Sequence, residues 1–321
     1  MRAIFCLHWI SQRVVLLSAL AGTVAMCNAQ TSQAQCEDCD GDECGDEPSS
    51  YGPCACKPRG TLFQWSYGTS FGGGPPGPDE GLVSDRPDFT EASTTVGRGV
   101  FQLESGYTYF QDEADGTEVR THSFPETLFR YGVLADWLEL RLAWNYGVED
   151  TLTPGTPTSS INGATDLYLG IKLGLTPQEG ILPEMALMPQ LTVPTGGSAF
   201  TNDETLPGLS WLYGWDVNDF LSTAGSSQIN RRIDDGSGDE YLQYAQSWTV
   251  GYTLTEKLGA YTEWFALIPS GAETLKAEHY ADGGFSYQFT NNFQVDIRAG
   301  VGLNEEAEDF FTGAGFVIRV P

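Results

Sequence analysis

The sequence predicts an all-β fold, an antiparallel transmembrane β-barrel of about twelve strands. Three observations predict it. From about Val100 to Val320, apolar and polar residues alternate with period two, as they do when successive side chains leave a pleated chain on opposite sides. The connections alternate between tight turns and longer polar loops. No long apolar run follows residue 30, so no helix is offered to a bilayer, whereas a barrel needs only every second strand residue to meet lipid.

The elements follow in chain order. Residues 1–29 read as an export signal: Arg2 and Arg13 are followed by apolar Val14–Met26, then Cys27-Asn28-Ala29 with cleavage before Gln30. Lipidation of Cys27 is the alternative there. Residues 30–80 read as a disordered, acidic, Cys-rich and Gly/Pro-rich linker, in which Gly72-Gly73-Gly74-Pro75-Pro76-Gly77-Pro78 marks a boundary. Cys36, Cys39, Cys44, Cys54 and Cys56 crowd this leader, and none follows from Lys57 to Pro321. Their spacing is not a standard zinc pattern. Two local disulfides with one odd cysteine suit an oxidising compartment, and a metal knot is the alternative. Aromatic Leu62–Phe71 either docks at the periplasmic rim or packs loosely. Residues 81–98 form a charged N-terminal segment, and residues 99–321 form the barrel.

Alternation places strands at 99–110, 121–133, 137–148, 164–176, 184–194, 207–217, 219–231, 240–255, 257–268, 279–290, 292–303 and 309–320. In Trp137–Val148, for example, Leu138, Leu140, Leu142, Trp144, Tyr146 and Val148 oppose Glu139, Arg141, Ala143, Asn145 and Gly147. Short turns fall at Leu134–Asp136, Thr176–Gly180, Val217–Asp219, Thr255–Lys257 and Thr290–Asn292. Long connections fall at Gln111–Arg120, Glu149–Gly163, Thr195–Leu206, Arg232–Asp239, Pro269–Glu278 and Asn304–Glu308. This is the asymmetry of a barrel with short periplasmic turns and longer external loops. Charged residues facing lipid are costly, so the apolar face points outward. Glu104, Glu139, Arg141, Asp166, Lys172, Glu184, Glu263, Asp282, Asp296, Arg298 and Arg319 then line the lumen. Trp137, Trp144, Trp211, Trp215, Trp248, Tyr252 and Trp264 suit interfacial girdles or ordinary sheet packing.

Just before the first strand stands Ser84-Asp85-Arg86-Pro87-Asp88-Phe89-Thr90-Glu91-Ala92-Ser93. This string resembles the opening motif of an outer-membrane family labelled with the MetA pathway of phenol degradation and often described as transporters. Leu191-Thr192-Val193-Pro194-Thr195-Gly196 resembles the family's strand ending in a Pro-x-Gly break. The resemblance covers about residues 82–321 and implies a barrel that passes aromatic or other small organic compounds. Within the motif, Asp85, Arg86, Pro87, Asp88, Phe89, Thr90 and Glu91 either fold into the lumen as a plug or turn locally in the periplasm. In the plug reading the charged members pair with Arg141, Lys172 or Arg298.

The formal charge of −27 excludes nucleic acid, whose phosphates need clustered Lys and Arg. The acidic runs Asp112–Asp115, Asp234–Glu240 and Asn304–Asp309 match no defined calcium loop and read as a repulsive outer surface. No metal site or cofactor is assigned. His122 and His279 are the histidines beyond the leader, and parity turns His122 inward and His279 outward, so they do not share a site. No nucleophile elbow accompanies them. The expected function is an outer-membrane channel or transporter passing small solutes through a mixed-charge lumen, in a Gram-negative-type bacterium. A non-conducting structural or adhesive barrel is the alternative, and an outer-membrane hydrolase a remote one. The expected partners are outer-membrane lipid, a small-molecule solute and the barrel-insertion machinery. The chain ends at Val320-Pro321 without the terminal aromatic that this machinery reads.

Overall fold

The computed structural model describes residues 60–63, 80–234 and 236–321. The expected signal segment 1–29, Cys27 and the leader cysteines Cys36, Cys39, Cys44, Cys54 and Cys56 lie outside the described residues. Among the described residues thirteen strands are present: β1 (Phe101–Ala114), β2 (Thr117–Gly132), β3 (Leu138–Leu152), β4 (Ser159–Ala164), β5 (Leu167–Thr176), β6 (Glu184–Val193), β7 (Leu206–Asp216), β8 (Leu221–Asp234), β9 (Asp239–Thr253), β10 (Leu258–Ser270), β11 (Glu278–Thr290), β12 (Phe293–Gly302) and β13 (Phe310–Val320). Apart from β4 and β5, which do not pair with each other, each pairs antiparallel with its neighbours in sequence, and β1 pairs with β13 from Phe101↔Val320 to Gln111↔Phe310. The sheet therefore closes on itself, and closure removes the exposed edges of an open sheet. β3 pairs with β4 along its later half and with β5 along its earlier half. β4 and β5 thus share one position in the wall, which makes a closed barrel of twelve positions.

The strand ends explain where alternation misleads. The expected long connection Gln111–Arg120 is a tight hairpin instead. β1 and β2 stay paired to Ala114↔Thr117 around Asp115 and Gly116, both at positive φ (53° and 75°). Such a turn matches the twist of the flanking strands. Likewise β8 and β9 remain paired to Asp234↔Asp239, inside the expected loop Arg232–Asp239. Beyond the membrane both faces of a strand meet polar surroundings. The ladder then continues without alternation, and period two cannot report it.

One bulge resets the faces of β2. Between Phe124 and Thr127, β2 carries one residue more than β3 opposes to it. An extra residue flips every later side chain to the other face. Thr121 and Ser123 point inward before the bulge, and Glu126, Leu128 and Arg130 after it. His122 consequently faces outward, contrary to the parity expectation, and bonds to the Tyr107 hydroxyl at 2.7 Å. His279 also faces outward, stacked on Trp264.

Leu140, Leu142, Trp144, Ile171, Leu209, Trp211, Leu242, Trp248, Trp264, Phe285, Ile297 and Ile318 are exposed on the outer surface, while the inward positions of the same strands are polar or charged. A water-soluble barrel would show the reverse polarity, so this surface is suited to lipid. We call the end that carries β1's start and β13's finish the turn end, and the opposite one the loop end.

Candidate functional site: the occupied lumen

The interior is defined by what alternation sends there. On β3, Glu139 and Arg141 turn inward between Leu138, Leu140 and Leu142; on β5, Lys172 does so between Ile171 and Leu173. A charge in this interior needs partners, because desolvating it unpaired costs several kcal/mol. Residues 81–98 supply them. The segment enters at the turn end, where Leu82 N–H donates to the Asn291 carbonyl and Arg319 donates to the carbonyls of Glu80 and Gly81. It rises to Phe89 and Thr90 and returns to the turn end, where the amide of Arg98 donates to Asp136.

Asp85 lies at the centre of the ascending limb and is fully buried. Its carboxylate accepts from Lys172 Nζ at 3.1 and 3.3 Å and from Arg141, and it lies 3.3 Å from Arg130. Its own backbone N–H donates to Glu104 at 3.0 Å. Arg130 also engages Glu139 (2.8 Å) and Glu104 (3.0 Å), and Arg141 engages Glu91 (2.8 Å). Burial by itself would push the Asp85 carboxyl up. The fields of Arg130, Arg141 and Lys172 together prevail and hold it well below the usual carboxylate range.

Arg86 points to the adjoining wall of β2, β1, β13 and β12. It donates to Glu126 at 3.0 Å and to Asp296 at 3.3 Å, and its guanidinium lies against Gly106 and Gly315, which face each other across β1 and β13. A Cβ on either glycine would overlap it. Arg298 then donates to the Pro87 carbonyl at 2.9 Å. At the apex, the Glu263 carboxylate accepts the backbone N–H groups of Phe89 (2.6 Å) and Thr90 (2.8 Å). The Phe89 ring stacks on Phe265 with centroids 4.4 Å apart, and Phe265 stacks on Tyr280. Phe110, Phe311, Leu267, Ala245 and Ala307 complete this cluster, which runs from the apex to the β12–β13 loop. On the descending limb, Ser93 and Thr94 both donate to Glu184 of β6.

A family model described as "Putative MetA-pathway of phenol degradation" matches residues 84–320, from the first residue of the luminal motif almost to the end of β13. The chain belongs to this family. Among solved structures, it is similar to the COG4313 outer membrane channel from Pseudomonas putida F1, at 15% identity and a TM-score of 0.57, over 71% of this chain and 98% of that one. A weaker likeness joins it to the translocator domain of the autotransporter NalP from Neisseria meningitidis (13% identity, TM-score 0.46, 70% and 89% covered). The transport unit of the autotransporter AIDA-I from Escherichia coli is comparable (9% identity, TM-score 0.46, 70% and 91% covered). The first likeness establishes the fold, that of an outer-membrane barrel. No curated protein matches the sequence.

In this MetA-pathway family member, Glu104, Glu139, Arg141, Lys172, Glu184, Glu263, Asp296, Arg298 and Arg319 all contact the inserted segment or one another. Two residues have other partners. Asp166 accepts from the amides of Thr195, Gly196 and Asn202, so it ties down the β6–β7 loop. Asp282 accepts from the Tyr261 hydroxyl at 2.9 Å. Arg130 and Glu126 were not foreseen as inward residues, although they carry much of the pairing. The signal for them was Pro125, since proline inside a strand marks a bulge. Among the described residues, no three His, Cys, Asp or Glu side chains converge as a metal site. Leu62 and Phe63 donate backbone N–H groups to Gly174 and Leu175 at the turn end.

Proposed function

We propose that this protein is a channel of the outer membrane for small, polar or anionic organic solutes, and that residues 81–98 act as its plug. The single observation that carries the reading is the position of this segment. It is bonded to the inward charges of β1, β2, β3, β5, β10 and β12, so it stands across the path that the barrel encloses. A mixed-charge wall sets up a transverse field that discriminates solutes by charge. Assembly through the barrel-insertion machinery belongs to the same reading. A hydrolytic role is disfavoured because His122 and His279 both face outward, leaving inward serines such as Ser123 without a histidine base among the described residues.

The test is planar-bilayer conductance of the full chain and of a variant lacking residues 81–98. Low conductance in the first and a larger, steady one in the second is expected. Arg141→Glu should in addition shift the reversal potential in a salt gradient. Silence from both proteins, with the barrel verified by heat-modifiable gel mobility, would transfer support to a structural or adhesive barrel.

A further inference from the structure

Beyond the plug's apex, toward the loop end, the inner wall of β6 to β9 has a different character. Gln190, Gly208, Asn230 and Gln243 lie side by side in register across these four strands. Gly208 leaves room for Gln190 to donate to Asn230 at 2.8 Å over the backbone of β7, and a Cβ there would overlap the Asn230 amide. The Tyr168 hydroxyl donates to Gln190 at 2.9 Å, so the chain of bonds fixes which way Asn230 points. Among the described residues, Asn230 Nδ2 is left free as a donor. Beside it, Arg232 Nε is a second donor without a described partner, Gln228 Oε1 and Gln243 Oε1 are acceptors without one, and so is Ser210 Oγ. All five side chains are at most 5% exposed.

No carboxylate among the described residues neutralises Arg232. Asp234, two residues on, is engaged by Thr274 and the amides of Gly236 and Glu273. Asp166 holds the β6–β7 loop, and Glu308 accepts from Tyr280. The Glu149 oxygens, on β3, meet no donor among the described residues. Buried polar groups left without partners are costly, on the order of 1–3 kcal/mol each, so a constellation of them marks a place where a ligand completes the bonding.

We propose that this wall is a recognition site for a small hydroxylated carboxylate, of the sugar-acid type. Arg232 and Asn230 receive the carboxylate, and the Gln228 and Gln243 carbonyls accept its hydroxyls. This rests on the channel reading and names the solute class that it passes.

The test is calorimetric titration of gluconate into the full chain, refolded in detergent, with neutral sorbitol as the comparison. Gluconate should bind saturably, and sorbitol roughly tenfold or more weakly. Arg232→Gln should weaken gluconate by a similar factor. Arg231→Gln should leave it unchanged, because Arg231 sits on the outward face, paired with Glu204 and Glu240. Equal gluconate affinity in Arg232→Gln and the parent, or no binding by a parent barrel of normal heat-modifiable mobility, would overturn the site. Ion conductance without gluconate binding would overturn this site alone. Gluconate binding by the full chain, with no conductance even in the variant lacking residues 81–98, would overturn the channel reading alone.

Discussion

Replacing Asp85 by asparagine tests how the inserted segment is held. The side chain keeps its size and loses its charge, at a fully buried position where Lys172, Arg130 and Arg141 converge. Each of these pairs is worth about 5 kcal/mol of attraction at separations near 3 Å and an effective dielectric constant near 20. Glu104, Glu139 and Glu91 still offset part of the cationic charge. The net penalty is therefore that of breaking one member of a buried ion pair, about 3–5 kcal/mol. If that penalty falls on docking, the equilibrium between seated and released segment shifts by roughly two to four orders of magnitude. Hydrogen exchange followed by mass spectrometry reads it directly: amides of residues 84–96 should lose protection while those of β10 to β13 keep theirs. Conductance should rise in parallel. Unchanged protection and conductance in Asp85→Asn, together with a pore in the variant lacking residues 81–98, would refute the reasoning, since the segment would then be held by something other than this charge cluster.

Three other outcomes follow from the same geometry. Gly315→Val puts a side chain where the Arg86 guanidinium lies, and should loosen Arg86 from Asp296 and Glu126 at a cost of about 1–3 kcal/mol; exchange at residues 84–90 in the variant equal to that of the parent would contradict it. Leu142→Arg places a cation mid-way along the lipid face of β3 and should destabilise the folded barrel by about 2–4 kcal/mol in a lipid-bilayer unfolding titration; no loss would argue against that face meeting hydrocarbon. The Asp85 carboxyl ionises at lower pH in the folded protein than in the unfolded chain. Its contribution is therefore complete above the unfolded value and fades only as pH falls through the lower folded one. Acidification from neutrality to about pH 4 should leave its grip on the segment intact, so exchange that rises at residues 84–86 near pH 5 would contradict the assignment.

The wall was legible in the sequence because strand alternation is a property of neighbouring residues. Leu138 to Val148 and Phe293 to Leu303 show it without knowledge of any partner strand, and β3 and β12 stand where their patterns put them. Where the pattern breaks, the reading breaks as well. The extra residue at Pro125 and Glu126 turned the rest of β2 over, which hid Arg130 and misplaced His122. The paired stems beyond the membrane, at Asp112 to Val119 and Asp234 to Asp239, carry no alternation and looked like loops.

The lumen illustrates the division most clearly. By itself the sequence determined a barrel, a polar inward face and a charged segment ahead of the first strand, because each is written in consecutive residues. Only the tertiary structure decided that Asp85 meets Arg130, Arg141 and Lys172, that Arg86 meets Asp296, and that Glu263 receives the apex. These partners lie tens to hundreds of positions apart. What brings them together is the closure of β1 on β13, which turns a list of inward charges into one enclosed space that has to be neutralised.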